Sequence, residues 1–124
     1  MTTVNALANA ALVLPLVNLL VNAAKHHFRA ENRRVELTFD LEDGGARSFL
    51  VADVRDNGPG LAPSTLARLW QPGFSSATDP EKRHGIGLWL SRQLVEEAGG
   101  SLSLQENRRG LGACFRLRYP IHLS

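Results

Sequence analysis

The spacing of polar and apolar positions along the chain changes period several times. From Val4 to about Phe28 it is helical: Leu16, Leu19, Leu20 and Ala23 recur at i, i+3, i+4 and i+7 in a stretch dominated by Ala and Leu. Pro15 interrupts this run. It predicts a kink or the first turn of the main helix, where a missing N–H costs nothing. Val35 to Leu41 then alternates apolar and polar, the pattern of a strand with one buried face. Glu42-Asp43-Gly44-Gly45 reads as a turn, and Ser48 to Val54 as the second strand of a hairpin. Asp56 to Gly60 is a loop by composition, and Pro63 to Trp70 a short helix starting near Pro63 or Ser64.

Gln71 to Arg83 is rich in Pro, Gly and Ser. It predicts a loop of about a dozen residues, the length at which loops tend to be functional. Gly87 to Ala98 is amphipathic, with Leu88, Leu90, Leu94, Val95 and Ala98 as its apolar stripe, and Gly99-Gly100 ends it as helices often end. Ser101 to Gln105 and Ala113 to Tyr119 alternate again, around a turn at Asn107 to Gly110. The order helix, hairpin, loop, helix, hairpin predicts one α+β domain over residues 1–124. It is a two-layer α/β sandwich, with helices on one face of a mixed, mostly antiparallel sheet.

Bulk properties narrow this picture only a little. A chain of 124 residues, 44% hydrophobic and 21% charged, suits one soluble domain with a single core. A net charge of +2 implies neither nucleic acid nor membrane. Arg33/Arg34 and Arg108/Arg109 read as solvated pairs, because no aromatic residues interleave with them. The single cysteine, Cys114, permits no internal disulfide and reads as a small buried hydrophobe, which fits the cytoplasm. No apolar run is long enough to span a bilayer, so a membrane is expected only through a longer parent protein.

Three polar constellations carry the candidate chemistry. Asn18, Asn22 and Lys25 share one helix face: two amides offering hard oxygen ligands for Mg²⁺, and an ammonium for phosphate. The plain alternative is a polar helix face. Asp56-Asn57-Gly58-Pro59-Gly60 is rich enough in turn formers to be only a turn. It also places a carboxylate at a strand end, suited to accept a hydrogen bond from an adenine amino group, with Gly58 and Gly60 allowing close backbone approach. His84-Gly85-Ile86-Gly87-Leu88 leads into a helix whose N-terminal N–H groups suit phosphate. Its alternative is an incidental helix-entry turn.

Together and in this order, these three motifs resemble the nucleotide-binding boxes of the GHKL (Bergerat-fold) ATPase/kinase superfamily. The resemblance runs from about Leu14 to Pro120 and is strongest to the catalytic, ATP-binding domain of bacterial sensor histidine kinases. It implies Asn22 as the Mg²⁺ ligand, with Asn18 and Lys25 supporting metal and phosphates. It implies Asp56 as the adenine contact and Gly85, Ile86, Gly87 and Leu88 as the phosphate cradle. Leu69-Trp70-Gln71-Pro72-Gly73-Phe74 resembles the family's phenylalanine box, with Gly73 as a departure. Residues 72–84 would then form the ATP lid, with Phe74, Lys82 and Arg83 as nucleotide contacts or, for the two cations, solvated charges. His26 stands where a tyrosine is frequent and His84 where a small residue or threonine is. His26 is either a further nucleotide contact or a helix-surface histidine.

Hydrolytic members typically carry glutamate at the position of Asn18. Asparagine cannot serve as a general base, which favours transfer over hydrolysis. None of His26, His27, His84 or His122 has the context of the family's phosphoacceptor. The expected partners are therefore a separate dimerisation/phosphoacceptor helix domain and, downstream, a response regulator. The expected cofactors are ATP and Mg²⁺, in the cytoplasm or on the cytoplasmic part of a membrane-bound sensor. Two rivals stand beside this reading: a serine/threonine kinase of the anti-sigma-factor type, and a degenerate nucleotide-binding interaction module.

Overall fold

The computed structural model describes residues 4–5, 10–25, 33–72 and 87–123. In chain order the elements are β1 (Val4–Asn5), α1 (Ala10–Lys25), β2 (Val35–Asp43), β3 (Ser48–Asp56), α2 (Pro63–Leu66), α3 (Leu88–Glu97), β4 (Ser101–Arg108) and β5 (Gly112–Leu123). The strands form one five-stranded sheet in which every described pairing is antiparallel. β5 lies at its centre. One edge pairs with β3, and β2 lies beyond; the other edge takes β4 and then, at residues 122–123, β1.

Strand alternation sorts the sheet's two faces. Ala52 and Val54 of β3, Leu102 of β4, and Phe115, Leu117, Tyr119 and Ile121 of β5 point inward and form the core. Onto them pack Leu12, Leu19 and Ala23 of α1 and Leu88 and Val95 of α3, so both long helices cover the same face. The two-layer sandwich is thus the expected one. Gly100 follows α3 where the chain folds back onto β5. A Cβ there would lie 2.0 Å from the Arg118 carbonyl oxygen, so glycine alone permits that approach.

Several local expectations are corrected. Val4–Asn5 is a strand and not the start of the helix, because it finds its hydrogen bonds on the end of β5. Of the two placements expected for Pro15 the first turn is ruled out: it lies inside α1 and is fully buried. β2 is a strand, yet it lacks a well-buried face. At the sheet edge only Leu37 is half-buried, while Phe39 and Leu41 are 54% and 44% exposed. The turn after β2 comes later than expected, closed by Gly44 N–H donating to the Arg47 carbonyl at 2.8 Å. α2 is shorter than expected: after Leu66 the chain tightens into i→i+3 hydrogen bonds from Arg68 to Thr65 and from Leu69 to Leu66. On α3 the buried residues are Leu88, Ser91 and Val95. Leu90 is 38% exposed, because it falls on the opposite side of the helix from Leu88.

The outer face of the sheet is held by ion pairs. Arg116 of β5 binds Asp53 of β3 through two hydrogen bonds of 2.8 and 3.0 Å. Arg118 stacks over the Phe49 ring at 4.2 Å and pairs with Glu42 of β2. Arg55 of β3 meets Glu106 of β4 at 2.7 Å, and the residue between them on β5 is Cys114. The cysteine is therefore 1% exposed although it points away from the hydrophobic core. Burial pushes its thiol up, opposed by the Arg55 charge. The hydrogen bond from Arg55 holds Glu106 below the usual carboxylate range. What the pair contributes is complete at neutral pH and fades only as the pH falls through that lowered value.

Leu117 is fully buried, so Leu117→Ala should lower unfolding free energy by about 2–5 kcal/mol in urea titrations. Leu111 is 66% exposed, and Leu111→Ala should stay within about 0.5 kcal/mol of the parent. Equal losses would contradict this placement of the core. Cys114 should resist an aromatic disulfide reagent until the chain unfolds, and Glu106→Ala should speed that reaction in the folded state. An immediate reaction of the folded parent chain would rule out the ion-pair cover.

Candidate nucleotide site

α1 presents its amide face toward α3. Asn18 and Asn22 are both half-buried on that helix, one turn apart. Lys25 is the helix's last residue, and its side chain lies outside the described part. Asn18 Nδ2 donates a 3.0 Å hydrogen bond to Ser91 Oγ, and Ser91 is completely buried in α3. The nitrogen end of the Asn18 amide is thereby committed to the neighbouring helix. Asn18 braces two elements and has no lone pair on that nitrogen with which to deprotonate water.

Ser91 also ties this contact to the glycine motif, because its N–H donates to the Gly87 carbonyl at 3.1 Å. Gly87 is the N-cap of α3, in extended conformation (φ −66°, ψ 163°), with no capping side chain and no acidic residue in the first turn. The N–H groups of Leu88, Trp89 and Leu90 therefore have no partner within the helix, the arrangement that suits an anion. Asn18 of the asparagine face and Gly87 of the glycine turn are thus linked through Ser91. His26, Phe74, Lys82, Arg83, His84, Gly85 and Ile86 lie outside the described residues, as does the expected lid. Trp70, which precedes that segment, meets Phe115 edge-to-face at 6.2 Å and lies under the Arg92 guanidinium at 4.7 Å.

The second group of candidate residues lies at the end of β3. Asp56 is half-buried, and its Oδ1 accepts the Gly58 N–H at 2.9 Å, a turn that fixes the carboxylate against its own loop. Gly58 is buried. Gly60 has φ +77° and lies so close to β4 that a Cβ would be 2.7 Å from the Arg108 carbonyl oxygen. A cavity of about 280 Å³ at this end of the sheet is lined by Asp56 together with the paired charges Arg34, Glu36, Arg55 and Glu106. Neither Asn22 nor Gly87 is among its lining residues.

Among the described residues no cluster of three or more His, Cys, Asp or Glu is placed to hold a metal. A single amide oxygen from Asn22 suits Mg²⁺, which keeps most of its waters and takes its other ligands from phosphates. Two residues of this region escaped the reading of the sequence. Ser91 was hidden in a helix read only for its apolar stripe. Asn107 was placed in a turn, whereas its side chain binds both backbone groups of Leu61.

The family model described as histidine kinase-, DNA gyrase B- and HSP90-like ATPase matches residues 8–123. The chain belongs to that family. Among curated relatives of this ATPase domain, the Sensor protein CitS of Halalkalibacterium halodurans is 36% identical over 114 residues, covering 90% of this chain and 20% of that protein. The Sensor histidine kinase CitA of Klebsiella pneumoniae is 33% identical over 104 residues, covering 84% of this chain and 18% of the other. The chain thus spans about a fifth of the length of these relatives. The solved structure of the Mycobacterial sensor histidine kinase MprB superposes with a TM-score of 0.73 at 24% identity, over 98% of this chain and 80% of that one, which establishes the same fold.

The Asn18–Ser91 contact yields a direct test. Asn18→Ala and Ser91→Ala should each cost about 1 kcal/mol in urea unfolding. The double variant should cost markedly less than their sum. Strict additivity would show that the two side chains do not interact.

Proposed function

We propose that this chain is the ATP-binding catalytic domain of a sensor histidine kinase. It binds Mg²⁺-ATP between α1 and the N-terminus of α3 and presents the γ-phosphoryl to a histidine on a dimerisation domain of the parent protein. The observation that carries this reading is the Asn18–Ser91 bond. It joins Asn18 to the first turns of the uncapped helix, and Asn18 is an amide where a water-activating carboxylate would favour hydrolysis.

In this reading the work is positioning and electrostatics. Asp56, fixed by the Gly58 N–H, accepts a hydrogen bond from the adenine amino group. The Gly87–Leu88 N–H groups, with Gly85 and Ile86 before them, hold phosphate oxygens, and Lys25 offsets their charge. Asn22 would hold Mg²⁺, which neutralises charge on the phosphates during transfer. The acceptor imidazole nitrogen forms a bond to the γ-phosphorus as the bond to the ADP oxygen breaks. Phe74, Lys82, Arg83 and His26 complete the nucleotide contacts.

A response regulator then receives the phosphoryl group. No described helix is long and apolar enough to cross a membrane; the domain is proposed to work on the cytoplasmic side of its parent. The sensor-kinase names of the relatives favour this reading over a serine/threonine kinase or a degenerate module.

Calorimetric titration with Mg²⁺-ATP tests it. The parent chain should bind. Asp56→Asn should weaken binding by about tenfold or more, and Asn22→Ala should remove the dependence on Mg²⁺. A folded parent chain that binds no nucleotide would overturn the proposal.

A further inference from the structure

We infer that Asn107 is a positioning residue for base recognition, and that the tip of the β4–β5 hairpin is the second wall of the adenine site. The inference rests on the reading of Asp56 given above. After Asp56 the chain leaves the sheet: Asn57 N–H still reaches the Arg34 carbonyl and Gly58 N–H the Asp56 carboxylate, but Pro59 and Leu61 lie beyond the strands. Buried or half-buried backbone polar groups must find partners elsewhere. The hairpin tip supplies them. Asn107 Oδ1 accepts the Leu61 N–H at 2.7 Å while Asn107 Nδ2 donates to the Leu61 carbonyl at 3.0 Å. Gly110 N–H donates to the Pro59 carbonyl at 2.7 Å. The side-chain amide thus stands in for a missing strand neighbour.

The fit between loop and tip is close on both sides. A Cβ on Gly60 would lie 3.1 Å from Asn107 Oδ1, and one on Gly112 (φ +124°) would lie 1.9 Å from the Asp56 carbonyl oxygen. The loop that follows Asp56 is therefore hydrogen-bonded to one hairpin at residues 59 and 61 and lies close against it at 56 and 60.

A β-bulge sets this up. The register of β4 on β5 shifts between Leu104 and Glu106. Leu104 points into the core opposite Phe115. Strict alternation from there would turn Glu106 inward and Asn107 outward. The extra residue at Gln105 reverses both: Glu106 comes opposite Cys114 and reaches Arg55 on the outer face, and Asn107 comes opposite Ala113 and reaches Leu61. Bulges re-aim side chains in this way beside functional sites.

The test compares Mg²⁺-ATP with Mg²⁺-ITP, whose base lacks the amino group that Asp56 would read. Calorimetry on the 124-residue chain should show a preference for ATP of about tenfold, abolished by Asp56→Asn. Asn107→Ala should lose most of that preference through weaker ATP binding, with ITP affinity held within about twofold, since only the base contact depends on the loop. Asn107→Asp keeps the acceptor for the Leu61 N–H, so it should fall between and carries the test if the alanine variant does not fold. Equal loss of ATP and ITP affinity, or a full preference retained in both Asn107 variants, would overturn the role of Asn107. An Asp56→Asn chain that kept the preference would overturn the base reading itself.

Discussion

Everything in this molecule hangs on the two hydrogen-bonding edges of β5. Backbone N–H and C=O groups in a buried strand must be paired on both sides, and β5 meets that demand with three partners: β3 along one edge, β4 and then β1 along the other. Because side chains alternate, that one strand also divides the protein chemically. Phe115, Leu117, Tyr119 and Ile121 supply the core, while Arg116 and Arg118 knit the outer face to Asp53 and Glu42. The helices are then placed by default, since only one side of the sheet offers apolar surface to cover.

On this base the proposed nucleotide site is assembled as two separately braced halves. The phosphate half is tied by a buried serine that holds α1 through its side chain and the glycine turn through its backbone. The base half is tied by the β4–β5 tip. Asn18 aside, the braces use none of the atoms proposed to contact nucleotide, metal or the transferred phosphoryl group. Geometry can therefore be kept by one set of groups while another set binds, the separation that preorganised sites require.

Much of this was legible in the sequence. The period-two runs gave β2, β3, β4 and β5 within a few residues, and the Leu/Ala spacing gave α1 and its buried Leu19 and Ala23. The motif residues Asn18, Asn22, Asp56 and Gly87 fall on the elements expected of them. What failed depends on tertiary partners. Val4–Asn5 carries no local strand signal, because a two-residue strand exists only through its neighbour. The apolar positions of β2 promised a buried face, but an edge strand has little above it. Cys114 was rightly read as buried, yet it is covered by an ion pair rather than by the core. Asn107 was invisible because a bulge reverses the parity on which alternation arguments rest.

The same pairing that places β1 also sets how the domain responds to load. Val4 lies opposite Leu123, and Asn5 opposite His122, in antiparallel register. A force applied at Val4 and Leu123 acts on the same end of that ladder, so its bonds open one after another, as a zipper does, and are never sheared together. β1 is then a release point that parts at low force while the β3–β5–β4 core stays shut.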